Sequence, residues 1–446
     1  MTETSRSENI STRLHQVAEL ARKAPQMVLT TLAHHIDVSW LYEAYLRTRK
    51  DGAVGVDGQT AEEYAPNLGV LRANLGALHD RLKSGTYRAP AVRRAYVPKG
   101  DGKQRRPIGI PTFEDKILQR AVTMVLEAVY EQDFVESSYG FRPGRSAHQA
   151  LEVLWAQLME MDGGVVVEVD IRAFFDSLDH GQLRAILDQR VRDGVLRRMI
   201  DKWLKAGVLE DGMERHPEAG TPQGGVISPL LANIYLHEVL DRWFVEAVRP
   251  RMEGKAVLVR YADDFVMVFS SARDAQRVMA VLPKRFGKYG LSLHPEKTRM
   301  VEFRRPPLRQ QRRPAGSFEF LGFAHYWARS RKGRWVVKRQ TAQPRFSRAV
   351  KAVGEWCRRH RHWPIREQHE GVVRKLKGHC AYYGITGNAK ALGRFHYELK
   401  RCWQQWLNRR SQRRRMPWGR FARLLEVYPL PAPVAVHSVL RHAARP

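Results

Sequence analysis

Apolar positions along the chain switch between two periods. In residues 36–49 they recur at helical spacing (Ile36, Leu41, Tyr45, Leu46), and in residues 112–130 they do so more densely (Ile117, Leu118, Ala121, Val125, Leu126, Val129). Further helices are predicted over 61–83, 147–161, the strongly apolar stretch 230–244 and 272–289, with more between 180 and 206. Other runs read as strands. Val165-Val166-Val167-Glu168-Val169-Asp170 is an apolar strand ending in an acid. Residues 87–111 form an extended hairpin turning at Gly100-Asp101-Gly102-Lys103. Residues 291–294 and 318–323 are short strands. In residues 257–269, two β-branched runs flank Asp263-Asp264, which predicts a hairpin with both acids at its turn. Residues before Pro25 are polar and expected to be loosely ordered, and the tail is helical in character.

Charge changes this picture. The 446 residues carry 76 Lys and Arg against 46 Asp and Glu, a net +30, which points to a polyanionic partner, nucleic acid first and an anionic membrane surface second. From His325 onward there are 29 Lys and Arg and five Glu, a net +24, so the last quarter reads as a binding surface and the rest as a catalytic body. No apolar stretch reaches the roughly 18 residues of a membrane span and the N-terminus lacks a signal peptide, so a cytoplasmic protein is expected. Cys357, Cys380 and Cys402 are too scattered for a disulfide framework or a structural zinc site. Cys357 with His360 and His362 reads better as a basic helix face than as a metal cluster.

An Asp-Asp pair can be a solvated turn. Flanked by apolar strands it also suits a divalent cation, which relieves the repulsion between the two carboxylates. Asp170 at an earlier strand end offers a third oxygen ligand. The basic hairpin carrying Lys99 and Arg106 can neutralise a triphosphate, although a solvated edge hairpin protected by charge is the plainer reading. The loop Tyr139-Gly140-Phe141-Arg142-Pro143-Gly144-Arg145, before a helix capped by Ser146, is a natural anion site. Interleaved aromatic and basic residues in the tail suit RNA stacking, and the run Arg409-Arg410-Ser411-Gln412-Arg413-Arg414-Arg415 has little structural excuse. Together these features point to nucleotidyl transfer by a two-metal mechanism.

Four stretches in order, Arg106 to Pro111 (RPIGIP), Tyr139 to His148 (YGFRPGRSAH), Gly220 to Leu236 (GTPQGGVISPLLANIYL) and Tyr261-Ala262-Asp263-Asp264, resemble the reverse transcriptases encoded by group II introns. Residues 376–383 (LKGHCAYY) resemble their maturase, or X, domain. The resemblance covers the chain from about Leu41 through the tail. It implies an α+β right-hand polymerase: an N-terminal helical extension of the fingers (1–85), fingers and palm (86–323), thumb and maturase domain (324–395) and a basic nucleic-acid-binding segment (396–446). It implies Asp170, Asp263 and Asp264 as ligands of two Mg2+ ions, with Mn2+ as a substitute, assisted by the Ile171 carbonyl.

The same resemblance places Lys99 and Arg106 at the incoming triphosphate, with Arg105 as the alternative one position away. It makes Phe175 the gate against a ribose 2′-OH, with Phe174 as the alternative, and places Gln223 near the nucleotide sugar and template. It assigns nucleic-acid contacts to Lys297, Leu321, Gly322 and Lys377; Arg142, Arg145, Arg409, Arg410, Arg413, Arg414 and Arg415 join them by charge. The expected partners are intron RNA, an RNA template with a DNA primer, dNTPs and target DNA, in the cytoplasm and at the nucleoid. The cysteine pairs of an HNH endonuclease, which many relatives carry, do not occur in this sequence. A primer from another source, such as a replication fork, is therefore expected. A domesticated stand-alone reverse transcriptase, in phage defence or CRISPR spacer acquisition, is the alternative. A splicing factor with a dead polymerase is the third reading.

Overall fold

The computed structural model describes residues 3–99, 104–210, 213–215, 224–307, 309, 316–411 and 415–437. In chain order its helices are α1 (Glu3–Lys23), α2 (Val38–Arg47), α3 (Ala61–Tyr64), α4 (Leu68–Lys83), α5 (Phe113–Tyr130), α6 (Ala147–Glu160), α7 (His180–Asp188), α8 (Gly194–Leu204), α9 (Ser228–Leu236), α10 (Ala272–Gly287), α11 (Gln343–Arg359), α12 (Ile365–Tyr383), α13 (Ala389–Asn408) and α14 (Trp418–Val427). The strands are β1 (Val92–Lys99), β2 (Gln104–Ile110), β3 (Val165–Val169), β4 (Val208–Glu210), β5 (Met213–Arg215), β6 (Ala256–Tyr261), β7 (Asp264–Phe269), β8 (Arg299–Glu302), β9 (Ser317–Phe320), β10 (Phe323–Arg329) and β11 (Trp335–Thr341). The fold is mixed α and β.

Helix boundaries follow local chemistry. Thr112 caps α5 by accepting from the Asp115 N–H, and Glu114 and Asp115 place negative charge in its first turn. The stretch predicted as one helix over 61–83 breaks into α3 and α4 at Ala65-Pro66-Asn67, because a residue before proline is disfavoured in the helical region and Asn67 then caps α4. The N-terminal residues are not loose: α1 buries Ile10, Val17 and Ala21 along one face, and Arg13 binds Asp37 at 2.9 Å. The apolar stretch after α9 widens into π-helical turns, His237–Arg242 and Phe244–Val248. There the Arg285 side chain donates to the Val239 and Glu238 carbonyls at 2.9 and 2.8 Å.

The chain divides into two compact units. The first comprises residues 1–150, 169–267 and 273–299, and the second 151–168, 268–272 and 300–446. In the first, one sheet runs β2-β1-β4-β5, with β1 antiparallel to β2 and parallel to β4. Its core is built largely around α5, which buries thirteen of its residues. β6 and β7 form a hairpin in this unit.

The second unit corrects the expectation of a helical tail from His325 onward. β9, β10 and β11 form an antiparallel sheet before the helices begin. Leu321 and Gly322, expected within a single strand, are instead the two turn residues between β9 and β10, with φ +50° and +79°. Two successive positive φ values match the twist of a tight hairpin. Helices α11 to α14 close over Val353, Val372, Leu376, Leu392, Leu399 and Phe421, with Trp403 fully buried. Cys357, Cys380 and Cys402 are free, buried members of this core. Among the described residues no helix is long and apolar enough to cross a membrane.

Candidate active site

The β6–β7 turn consists of Ala262 and Asp263, with Ala262 in the left-handed region at φ +56°. Asp264 is the first residue of β7 and exposed, while Asp263 is half-buried. A non-glycine residue with positive φ needs outside support, and a buried polar cluster supplies it. Arg260, with none of its side chain exposed, donates through Nη1 to the Ala262 carbonyl at 3.0 Å and to Asn233 Oδ1 at 2.9 Å. Its Nη2 reaches Ser138 Oγ at 2.7 Å and Asp241 Oδ2 at 2.5 Å, and its Nε reaches Asp241 Oδ1 at 2.8 Å. Burial pushes the Asp241 carboxyl up, but the Arg260 charge, the nearby His237 ring and the Arg260 hydrogen bonds outweigh it and hold the group below the usual carboxylate range.

The loop before α6 locks the same turn from outside. Its backbone runs parallel to Arg260, with Tyr139 N–H on the Arg260 carbonyl and Arg260 N–H on the Ser137 carbonyl, each at 2.9 Å. A Cβ on Gly140 would lie 2.3 Å from the Ala262 nitrogen, so only glycine permits this approach. Asn233 Nδ2 donates to the Gly140 carbonyl at 2.7 Å and joins loop and turn to α9.

Asp170 follows β3. Its carbonyl accepts from His294 N–H at 2.8 Å, and Ile171 bridges antiparallel to Leu293, so residues 291–294 make bridge contacts rather than the expected strand. Asp263 feels Asp170: burial first, and then the Asp170 charge, raise its carboxyl above the usual range, while its own backbone N–H, Arg106 and Arg260 oppose the rise. Lys297 Nζ sits 2.7 Å from Asp170 Oδ2. Lys297 was expected to contact nucleic acid; here it pairs with Asp170. Among the described residues no three His, Cys, Asp or Glu side chains stand grouped as a metal cage. The donors around Asp170 and Asp263 are nonetheless hard oxygens, and a like-charged carboxylate pair is what a divalent cation relieves.

The β1–β2 register separates Arg105 from Arg106. Val97 pairs with Arg106, Pro98 with Arg105 and Lys99 with Gln104. Cross-strand partners share a face and neighbours alternate, so positions 99 and 106 fall on one face and Arg105 on the other. Arg106 is the arginine whose charge reaches Asp263. Gln223 lies outside the described residues, as does the expected turn 100–103. The residues after Gln223 are held: Gln119 Oε1 accepts from Val226 N–H at 2.7 Å, and Gln119 Nε2 donates to Asp115 at 2.9 Å. Asp115 also accepts from Tyr87 and Trp203, both at 2.7 Å, and burial pushes its carboxyl up to about 6. Gly224, at φ +117°, rests on Ile108 and Gly109 of β2. Phe174 is a core residue, 3% exposed, whereas Phe175 is half-buried, its ring edge-on to Phe174 at 5.3 Å.

The expected anion site at Arg142 is corrected. Its side chain is 3% exposed, pairs with Glu131 at 2.9 Å, and donates to the Val135 and Ser138 carbonyls at 2.7 and 2.8 Å. This guanidinium braces the loop against α5 and is not presented to a phosphate. Arg145 lies half-buried over the Tyr139 ring at 5.6 Å. In the second unit the Leu321 carbonyl accepts from Tyr382 Oη at 2.9 Å and the Gly322 carbonyl from Ala342 N–H at 2.9 Å. Lys377, Arg409, Arg410 and Arg415 are exposed; Arg413 and Arg414 lie outside the described residues.

A family model described as reverse transcriptase (RNA-dependent DNA polymerase) matches residues 97–325. The group II intron-encoded protein LtrA of Lactococcus lactis subsp. cremoris is 33% identical over 405 residues, covering 72% of this chain and 65% of that protein. Protein YkfC of Escherichia coli K12 is 36% identical over 296 residues, covering 59% of this chain and 77% of that protein. Nuclear intron maturase 2, mitochondrial, of Arabidopsis thaliana is 32% identical over 229 residues, covering 41% of this chain and 31% of that protein.

Proposed function

Because the chain belongs to the reverse transcriptase (RNA-dependent DNA polymerase) family, we propose that it is the DNA-synthesising protein of a group II intron and that it also binds the intron RNA as a maturase. The observation that carries this reading is the Ala262–Asp263 turn held by Arg260, with Asp170 and Arg106 near enough for their charges to act on the Asp263 carboxyl. The similarity to LtrA, an intron-encoded protein by name, and to a nuclear intron maturase supports the intron assignment.

In this reading the sheet β2-β1-β4-β5 belongs to the fingers, the β6–β7 hairpin to the palm and helices α11 to α13 to the thumb. Asp170, Asp263 and Asp264, with the Ile171 carbonyl, would hold two divalent cations, Mg2+ by the hardness of the donors. Such ions would supply the acidification of a primer 3′-hydroxyl and the positive charge that a triphosphate needs. Arg106 and Lys99 grip the triphosphate, and the ring of Phe175 excludes a 2′-OH and selects dNTPs. Lys297, beside Asp170, is placed to share charge with the carboxylates. Splicing chemistry belongs to the RNA, which the basic second unit holds in its active fold. Integration proceeds by target-primed reverse transcription in the cytoplasm, at the nucleoid.

Primer extension on an RNA template with Mg2+ and dNTPs, run alongside splicing of the flanking RNA, tests this. Template-dependent cDNA and protein-stimulated splicing are expected. Extension without any effect on splicing would favour a stand-alone enzyme, and splicing without extension a dead polymerase.

A further inference from the structure

The last turn of α11 and the loop to α12 carry a Trp-Cys-Arg-Arg-His-Arg-His-Trp sequence, Trp356 to Trp363, and the structure assembles it into a platform. Trp356 and His360 stack at 4.5 Å and 22°. Trp363 packs edge-on against His360, with centroids 4.0 Å apart, yet remains 45% exposed. Large aromatic side chains usually bury more of themselves, so an exposed tryptophan on a rigid mount invites a partner.

The mount is rigid. Gln368, 1% exposed, donates through Nε2 to the Arg361 and Trp363 carbonyls at 3.2 and 2.8 Å. Its Oε1 accepts from the buried Trp403 indole at 3.1 Å, which ties the loop to the core of the unit. Backbone bonds from Trp363 to His360 and from His360 to Trp356, each 3.0 Å, complete the turn.

A second basic segment meets the platform from 48 residues away. Arg410 Nη2 donates to the His362 carbonyl at 3.2 Å, and Arg409 lies over the Trp406 ring at 5.2 Å. Arg358, Arg359, Arg409 and Arg410 are exposed, Arg361 is half-buried, and none of the five makes an ion pair among the described residues. Arg361 and Arg410 each spend one N–H on a backbone carbonyl, that of Arg358 and that of His362, but no carboxylate offsets the five charges, and such charges repel one another until an anion joins them.

We propose that this surface is a docking site for single-stranded RNA, with an unpaired base stacked on Trp363 and flanking phosphates on Arg358, Arg359, Arg361, Arg409 and Arg410. The proposal rests on the reading of the chain as an RNA-binding protein and adds the place and mode of contact. An RNA loop or bulge fits better than a duplex, because only an unpaired base exposes a face for stacking. Indole and arginines together would also suit an anionic membrane surface; the resemblance to RNA-dependent polymerases favours RNA, and the vesicle arm of the test separates the two.

The test compares binding of an unstructured uridine 20-mer, a blunt RNA duplex of equal length and vesicles of phosphatidylserine by the full chain. Trp363→Ala is expected to weaken the single strand about tenfold, in the range of one lost base stack, and the duplex by less than twofold. Trp363→Phe should restore most of the loss. Arg359→Gln with Arg361→Gln should weaken both RNAs and flatten the salt dependence of binding by about two charges. Thermal melting of each variant establishes that it is folded. Equal loss on both RNAs with Trp363→Ala, or no loss on either, overturns the proposal. So does vesicle binding that falls with Trp363→Ala while RNA binding does not. Failure of the wild-type chain to extend a primer would count against the proposed enzyme activity and leave this result standing.

Discussion

Arg260 and Asp241 form a two-pronged ion pair with no exposed side-chain surface, 2.8 Å at one oxygen and 2.5 Å at the other. The same guanidinium holds the Ala262 carbonyl, so the pair braces the turn that presents Asp263. Breaking a buried pair from one side leaves an uncompensated charge. Asp241→Asn should therefore destabilise the fold by roughly 3–5 kcal/mol, read by denaturant unfolding. Arg260→Lys keeps the charge but loses the fork. It should lower the primer-extension rate about tenfold, equivalent to ~1.4 kcal/mol in the barrier, with little change in dNTP KM.

The pleat of β1 and β2 gives Arg105 and Arg106 opposite faces. Arg106→Ala should raise the KM for dNTPs at least tenfold, whereas Arg105→Ala should change it about twofold or less, since an exposed charge off the site contributes little. Steady-state extension with varied dNTP checks this. Equal effects of the two substitutions would contradict the facing inferred from the strand register.

Gly140 touches the Ala262 nitrogen through a gap that no Cβ fits. Gly140→Ala must displace the turn, because both sides of the contact are backbone. A fall of about a hundredfold in extension rate is expected, in line with small misplacements at reacting centres. Retained cooperative melting would show that the loss is local.

His325 is fully buried, stacked on Phe318 at 4.6 Å, and burial, aided by Arg339, lowers its pKa to about 3. In the unfolded chain it titrates near the ordinary value of about 6.5. Between these values the unfolded state binds a proton that the folded state refuses, so stability falls as pH drops below about 6.5. At about pH 4.5 the loss from this group is about 2–3 kcal/mol. His325→Phe should remove that part of the acid sensitivity in melts run from about pH 7 to 4.5.

Much of the site was legible in the sequence, because its elements are local patterns. The acid ending an apolar strand at Asp170, the hairpin around Asp263 and the basic β1–β2 ribbon declare themselves by period and turn chemistry. The brace did not, since Arg260 of β6, Ser138 of the loop before α6, and Asn233 and Asp241 of the α9 stretch come from three segments far apart in the chain. A signal was present: Arg260 interrupts an apolar strand and Asp241 an apolar helix, and charges in such places are almost always paired. Arg142 was misread for the same reason, as its partner Glu131 lies on another element. The β10–β11 strands were hidden by the dense positive charge of their region, which resembles a binding tail more than a sheet. Likewise, sequence could not separate core from exposed tryptophans: Trp403 is buried and Trp363 is not.

The central claim is that Asp263 and Asp264 serve DNA synthesis while the basic second unit serves RNA binding. The most direct test is the Asp263→Ala, Asp264→Ala double variant, assayed for primer extension on an RNA template and for binding and splicing of the flanking intron RNA. The account predicts loss of cDNA synthesis with RNA binding and splicing retained at equal folded protein. Persistent template-dependent extension, or splicing lost together with it, would contradict it.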